Sequence, residues 1–94
     1  MQVRWLRTAL ANLNAEAEYI ARDNPAAASR VVAAITTAVD HLARHPALGR
    51  TGRVPGTREL VVQETPYIIP YRVRSGVVEV LRVFHAARRW PSEF

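Results

Sequence analysis

The first residues alternate polar and apolar. From Gln2 to Leu6, Val3 and Trp5 share one face, which is the pattern of a short strand. The period then changes. Leu6, Leu10, Leu13, Ala17 and Ile20 are spaced by four, three, four and three, and so line one face of a helix over Arg7 to Arg22. Asp23-Asn24-Pro25 interrupts the pattern. Asn24 suits an N-cap, and Pro25 suits the first helical position, where its missing N–H has no helical partner in any case. A second helix follows, with Ala28, Val31, Val32, Ile35, Val39 and Leu42 as its apolar stripe. It is expected to run to Arg44-His45, where Pro46 stops it. The very short connection predicts an antiparallel helix hairpin.

Residues 46–57 hold three of the four glycines and two prolines, and read as an ordered loop within one domain. Three strands are then expected. Arg58 to Gln63 is the first. Tyr67 to Arg74 is the second, and Pro70 within it predicts an edge position or a bulge. Ser75-Gly76 is a tight turn into the third, Val77 to His85. The tail, Ala86 to Phe94, has room for one helical turn before Pro91. The order is strand, two helices, three strands. It predicts an α+β fold: an antiparallel meander joined by the N-terminal strand in one sheet, with the hairpin on one face.

That arrangement leaves the other sheet face in need of a cover. Strict alternation puts Val78, Val80, Arg82 and Phe84 on one face of the last strand, and Val77, Glu79, Leu81, Val83 and His85 on the other. Both faces are apolar enough to require burial, and the chain supplies one hairpin and a short tail. A partner protein is expected to supply the rest.

Composition narrows the chemistry. At 94 residues the chain is one domain, residues 1–94. It has no cysteine, which excludes a disulfide framework, a cysteine nucleophile and thiolate zinc sites. No apolar run is long enough for a membrane span, and no leader is evident, so the expected location is the cytoplasm. The 13 basic residues are all arginine, against 8 acids, for a net charge of +5. Residues 1–45 hold five arginines and four acids, whereas residues 46–94 hold eight and four. The second half is where an acidic partner should bind.

The candidate residues follow from that bias. Arg58, Arg72, Arg82, Arg88 and Arg89 could converge on the uncovered sheet face, with Val80 and Phe84 as apolar anchors and Trp90 as a tail anchor. The alternative for the arginines is pairing with Glu59, Glu64 and Glu79. Arg50 and Arg53 read as solvated loop residues. His85, at a strand end, could transfer protons or simply bond to backbone. His41 and His45 lack further ligands at metal-site spacing, and no cofactor or metal is expected.

Five stretches carry a family resemblance: Ile20 to Ala28, Leu42 to Arg50, Gly56 to Val62, Pro66 to Val73, and Val80 to Arg88. In this order they resemble the RelE/ParE superfamily of bacterial type II toxin–antitoxin toxins. The resemblance implies the same α+β fold, a growth-arresting toxin and a neutralising antitoxin partner. RelE-like members cleave mRNA on the ribosome and typically carry a basic residue just after an aromatic in the middle strand. Here Tyr67 is followed by Ile68, and the tail lacks the tyrosine some members use. His85, with Arg82 and Arg88, remains as the catalytic set such a nuclease would use. ParE-like members inhibit DNA gyrase and need a binding surface only. Gly56 to Leu60 and Leu81 to His85 are closer to that branch, so gyrase is the expected target and the ribosome with mRNA the alternative. A non-toxic binding protein is a third possibility.

Overall fold

A computed structural model describes residues 1–94. Strand β1 (Gln2–Trp5) leads into helices α1 (Arg7–Ala21) and α2 (Pro25–Asp40), and a 3-10 turn (His41–Ala43) closes the hairpin. Strands β2 (Arg50–Thr51), β3 (Arg58–Val61), β4 (Tyr67–Arg74), β5 (Val77–Val80) and β6 (Phe84–His85) complete the chain. The Asn24 side chain accepts from Ala27 N–H at 3.0 Å and caps α2, with Pro25 at its first position. The second helix therefore starts as its sequence predicts. Its last turn tightens to 3-10 geometry instead of continuing as α-helix to His45.

The sheet order is β1-β5-β4-β3-β2, with β6 pairing β4 beyond the end of β5. β1 runs parallel to β5, and the other pairs are antiparallel. Ser75 and Gly76, at φ of 53° and 73°, form the tight turn between β4 and β5. The hairpin packs on one face around Ala9, Leu13, Ile35, Val39, Leu42, Leu60, Ile69, Tyr71, Val78 and Val80. β2, within the 46–57 segment, is a strand the loop reading did not foresee. It is only two residues long and pairs only Arg58 and Glu59.

Pro70 lies in the central strand, and the structure resolves how. Tyr71 pairs with Val80, while Ile68 pairs with Phe84. One strand advances three residues while the other advances four, so residues 81–83 form a bulge. Pro70 faces that bulge and accepts the Leu81 N–H at 2.9 Å through its carbonyl. Its missing donor thus falls where the ladder is already broken. The bulge also resets the alternation. Val78, Val80 and Val83 all enter the helix-side core, whereas Glu79, Leu81 and Phe84 face the other way. Strict alternation had placed Val80 and Phe84 together; the extra residue separates them.

Helix α1 is rotated from its predicted face. Ala9, Leu13 and Glu16 are buried, and Leu10 is 45% exposed. The core-facing stripe is therefore 9, 13 and 16, with the partly buried Ile20 below them and one position occupied by a carboxylate. The tail makes a turn closed by Arg88 N–H to His85 C=O at 2.9 Å, and no helix.

Candidate functional site

The face without helices is built around two buried carboxylates. Glu59 is 2% exposed. It accepts from Arg50 Nε and Nη2 at 3.1 and 3.0 Å and from the Arg53 backbone N–H at 2.8 Å, with the Arg53 guanidinium at 3.4 Å. Glu79 accepts from Arg72 Nε at 2.7 Å, with Arg74 Nε at 3.4 Å and Arg4 opposite it on β1. The Arg72 hydrogen bond holds the Glu79 carboxyl below the usual carboxylate range; desolvation opposes this, and the charges of Arg74 and Arg4 assist it. Arg50 and Arg53 are therefore engaged with Glu59 while about half of each side chain stays exposed to solvent. Arg58 and Glu59 point to opposite faces, as adjacent strand residues must. Arg58 donates to Gly49 C=O at 2.8 Å and fastens the loop on the helix side, away from the other arginines.

The tail folds over the same face. Trp90 meets Phe84 edge-on at 4.8 Å between ring centres, and Phe94 stacks on Phe84 at 6.1 Å. Arg53 sits over the Trp90 ring at 4.0 Å, and Arg82 lies 5.5 Å from the Phe94 ring. Trp90 Nε1 is buried without a hydrogen-bond partner. Ile68, Pro70 and Leu81 are buried on this side. The chain's own tail thus takes much of the covering role that the alternation assigned to a partner. Val80, expected on that face as a binding residue, is fully buried on the helix side and offers a partner nothing. Phe84 is on the expected face but lies under the tail.

A third group joins α1 to the start of the tail. Tyr67 Oη donates to Glu16 Oε1 at 2.9 Å, and Arg88 Nη2 lies 3.0 Å from Glu16 Oε2. The His85 ring meets Tyr67 edge-on at 5.7 Å, and its Nδ1 accepts from Ala87 N–H at 3.2 Å. Burial first, and the bond to Glu16 second, push the Tyr67 hydroxyl up to about 12. Of the nuclease candidates, His85 and Arg88 come together here. Arg82 does not: it donates to Thr8 Oγ1 at 2.6 Å and Leu81 C=O at 2.7 Å. Arg89 is exposed. Glu16 and Tyr67 escaped the sequence reading. The available signal was a charge placed three residues after Leu13, inside an otherwise apolar stripe. No three His, Asp or Glu side chains come together to hold a metal ion.

A groove of about 710 Å³ runs between α2 and β3, lined by Ala34, Ala38, Leu48, Leu60 and Val62, with Arg50 at its rim. Beyond Glu59, the outer edge of β3 has no strand beside it. The family model described as ParE toxin of type II toxin-antitoxin system, parDE, matches residues 3–90. The chain belongs to the ParE toxin family. The protein named "Putative toxin Y4kP" of Sinorhizobium fredii is 54% identical over 90 residues, covering 96% of this chain and 93% of that protein. Toxin RelE2 of Caulobacter vibrioides is 45% identical over 87 residues, covering 93% and 97%. A solved structure of the chromosomal ParDE TA system from P. aeruginosa superposes with a TM-score of 0.81 at 31% identity, over 90% of this chain and 95% of that one. The solved ParDE chain thus shares the fold of this one. No helix of this ParE-family toxin is long and apolar enough to cross a membrane.

Proposed function

We propose that this ParE-family toxin arrests growth by binding and inhibiting DNA gyrase, and that a cognate antitoxin neutralises it. Beyond family membership, one observation carries the choice of target. Cleaving a phosphodiester needs a base, a cation and an acid aimed at one point. Here Arg82 is bonded to Thr8 and Leu81, and Arg88 to Glu16, so neither guanidinium shares a hydrogen bond with His85. Such a surface is suited to binding.

The antitoxin reading is supported by the ParDE system in which the P. aeruginosa neighbour was solved. The proposed seat differs from the one expected at Val80 and Phe84. With Val80 buried and Phe84 under the tail, the accessible apolar site on the sheet is the groove between α2 and β3. There a partner segment can add to the bare edge of β3 and place apolar side chains against Leu60 and Val62.

The deciding experiment is a supercoiling assay with antitoxin-free protein. Loss of gyrase activity, reversed by the antitoxin, is the expected result. Full gyrase activity in the presence of folded protein overturns the proposal. The second reading is mRNA cleavage on the ribosome. It draws on the relative named RelE2 and on His85 lying beside Tyr67, whose hydroxyl shares Glu16 with Arg88. Under that reading, His85→Ala lowers cleavage by about 10²–10⁴-fold.

A further inference from the structure

Charge is divided unevenly between the two layers. Residues 6–45, which contain the helix hairpin, carry four arginines and four acids and are neutral. The sheet, its loops and the tail carry nine arginines against four acids, and with them the whole net charge of +5. Five of these arginines form two groups on the helix-free face: Arg50 and Arg53 around Glu59, and Arg72, Arg74 and Arg4 around Glu79.

The pairing is asymmetric. The two carboxylates are 2% and 7% exposed, whereas Arg50, Arg53, Arg72 and Arg74 are 35–63% exposed. One carboxylate can neutralise one guanidinium, so one arginine around Glu59 and two around Glu79 are surplus to a structural ion pair. Each guanidinium carries five N–H donors, and the contacts to Glu59 and Glu79 use only some of them. Each group therefore presents net positive charge and spare donors outward, anchored from beneath. The groups sit two strands apart across the sheet and two residues apart along it, a separation of roughly 12 Å.

We propose that this face binds the phosphate backbone of double-stranded DNA. A duplex carries one phosphate charge per about 1.7 Å of axis, so a rigid face with two cationic groups engages several phosphates at once. The guanidinium fork matches phosphate geometry. Single-stranded nucleic acid would want free aromatic rings for stacking. Here Trp90 is sandwiched with Arg53 and Phe84, and Phe94 packs on Phe84, so both are already engaged. An acidic protein segment would want apolar anchors beside the charge, and Ile68, Pro70 and Leu81 are buried on this side. The binding is sequence-independent, and it stands apart from the gyrase reading because it requires DNA alone.

The test is fluorescence anisotropy with a labelled duplex of about 25 base pairs, between about 50 and about 200 mM salt. Log affinity is expected to fall against log salt with a slope of about −3, for roughly three phosphates neutralised by the charge left over once Glu59 and Glu79 are paired. The double variant Arg4→Gln, Arg74→Gln leaves Arg72 on Glu79. It should flatten the slope by about two and weaken binding at low salt by about tenfold or more. Arg22→Gln with Arg30→Gln removes the same charge from the helix layer and should leave the slope unchanged. Circular dichroism checks each variant. If the double variant unfolds, Arg74→Gln alone should flatten the slope by about one. Three results overturn the proposal: no duplex binding at low salt, equal effects of the two double variants, or tighter binding of a single-stranded RNA of the same length.

Discussion

Tyr71 shows how one residue holds a loop in place. Its hydroxyl donates to Pro46 C=O at 2.7 Å and accepts from Gly49 N–H at 2.8 Å. A side chain at Gly49 would put its Cβ 2.6 Å from Tyr71 Cε1 and 2.9 Å from Glu59 C=O. Neither neighbour is free to move, so Gly49→Ala should cost about 1–3 kcal/mol in urea unfolding, the usual range for overpacking. Tyr67 contributes to the alkaline limit, as does Tyr71, where burial also pushes the hydroxyl up. The ionisation of Tyr67 is raised in the folded state to about 12, from an ordinary value of 10.0. Its contribution is complete below pH 10 and is lost as pH rises toward 12. Tyr67→Phe should flatten stability across that window in a pH series of thermal melts. Glu79 acts at the other end. Its pKa is depressed, so its stabilisation is present at neutral pH and is lost as pH falls below the ordinary carboxylate range of about 4. Glu79→Gln should remove part of that acid limb in the same series.

Among the elements, what was legible depended on whether local chemistry or tertiary contact decided. Asn24-Pro25 and Ser75-Gly76 carry their own instructions, and both the helix start and the hairpin turn lie where the sequence put them. The period of α2 was equally plain. The face of α1 was not, because Glu16 interrupts the true stripe and its partners Tyr67 and Arg88 lie 51 and 72 residues away. The bulge at residues 81–83 was half legible. Pro70 announced an irregularity, but the reset of the alternation depends on the strand across from it. That reset puts Val80 on the helix side, opposite Phe84. The tail was the least legible element, since its structure consists of contacts with Phe84, Arg53 and Arg82. Trp90→Ala removes its central contact. With Trp90 only partly buried, we expect a loss of about 1–3 kcal/mol by urea unfolding, below the full-burial figure. The same variant should bind more of a hydrophobic dye as Ile68 and Leu81 become uncovered.

For the whole molecule, a neutral hairpin backs a cationic sheet. The net positive charge is thus confined to the sheet side of the molecule. Under the gyrase reading, His85→Ala should leave inhibition in the supercoiling assay within about twofold, because no proton transfer is asked of it. Substitutions in the groove, such as Leu60→Asp, would also disturb the core. Leu48→Asp is the cleaner probe, since Leu48 is 55% exposed at the groove wall. It should weaken antitoxin binding by about tenfold or more in calorimetry while leaving thermal stability nearly unchanged.

The bare edge of β3 carries one more consequence. A sheet edge beside an apolar groove is a template for any extended chain, including a second copy of this one. Val61, 42% exposed on that edge, is next to Leu60, and the strand's two charges, Arg58 and Glu59, lie at its other end, too far along to discourage self-pairing there. The free toxin should therefore aggregate as its concentration rises. On that view the antitoxin also keeps the toxin soluble, and co-production would matter for yield as much as for the survival of the host.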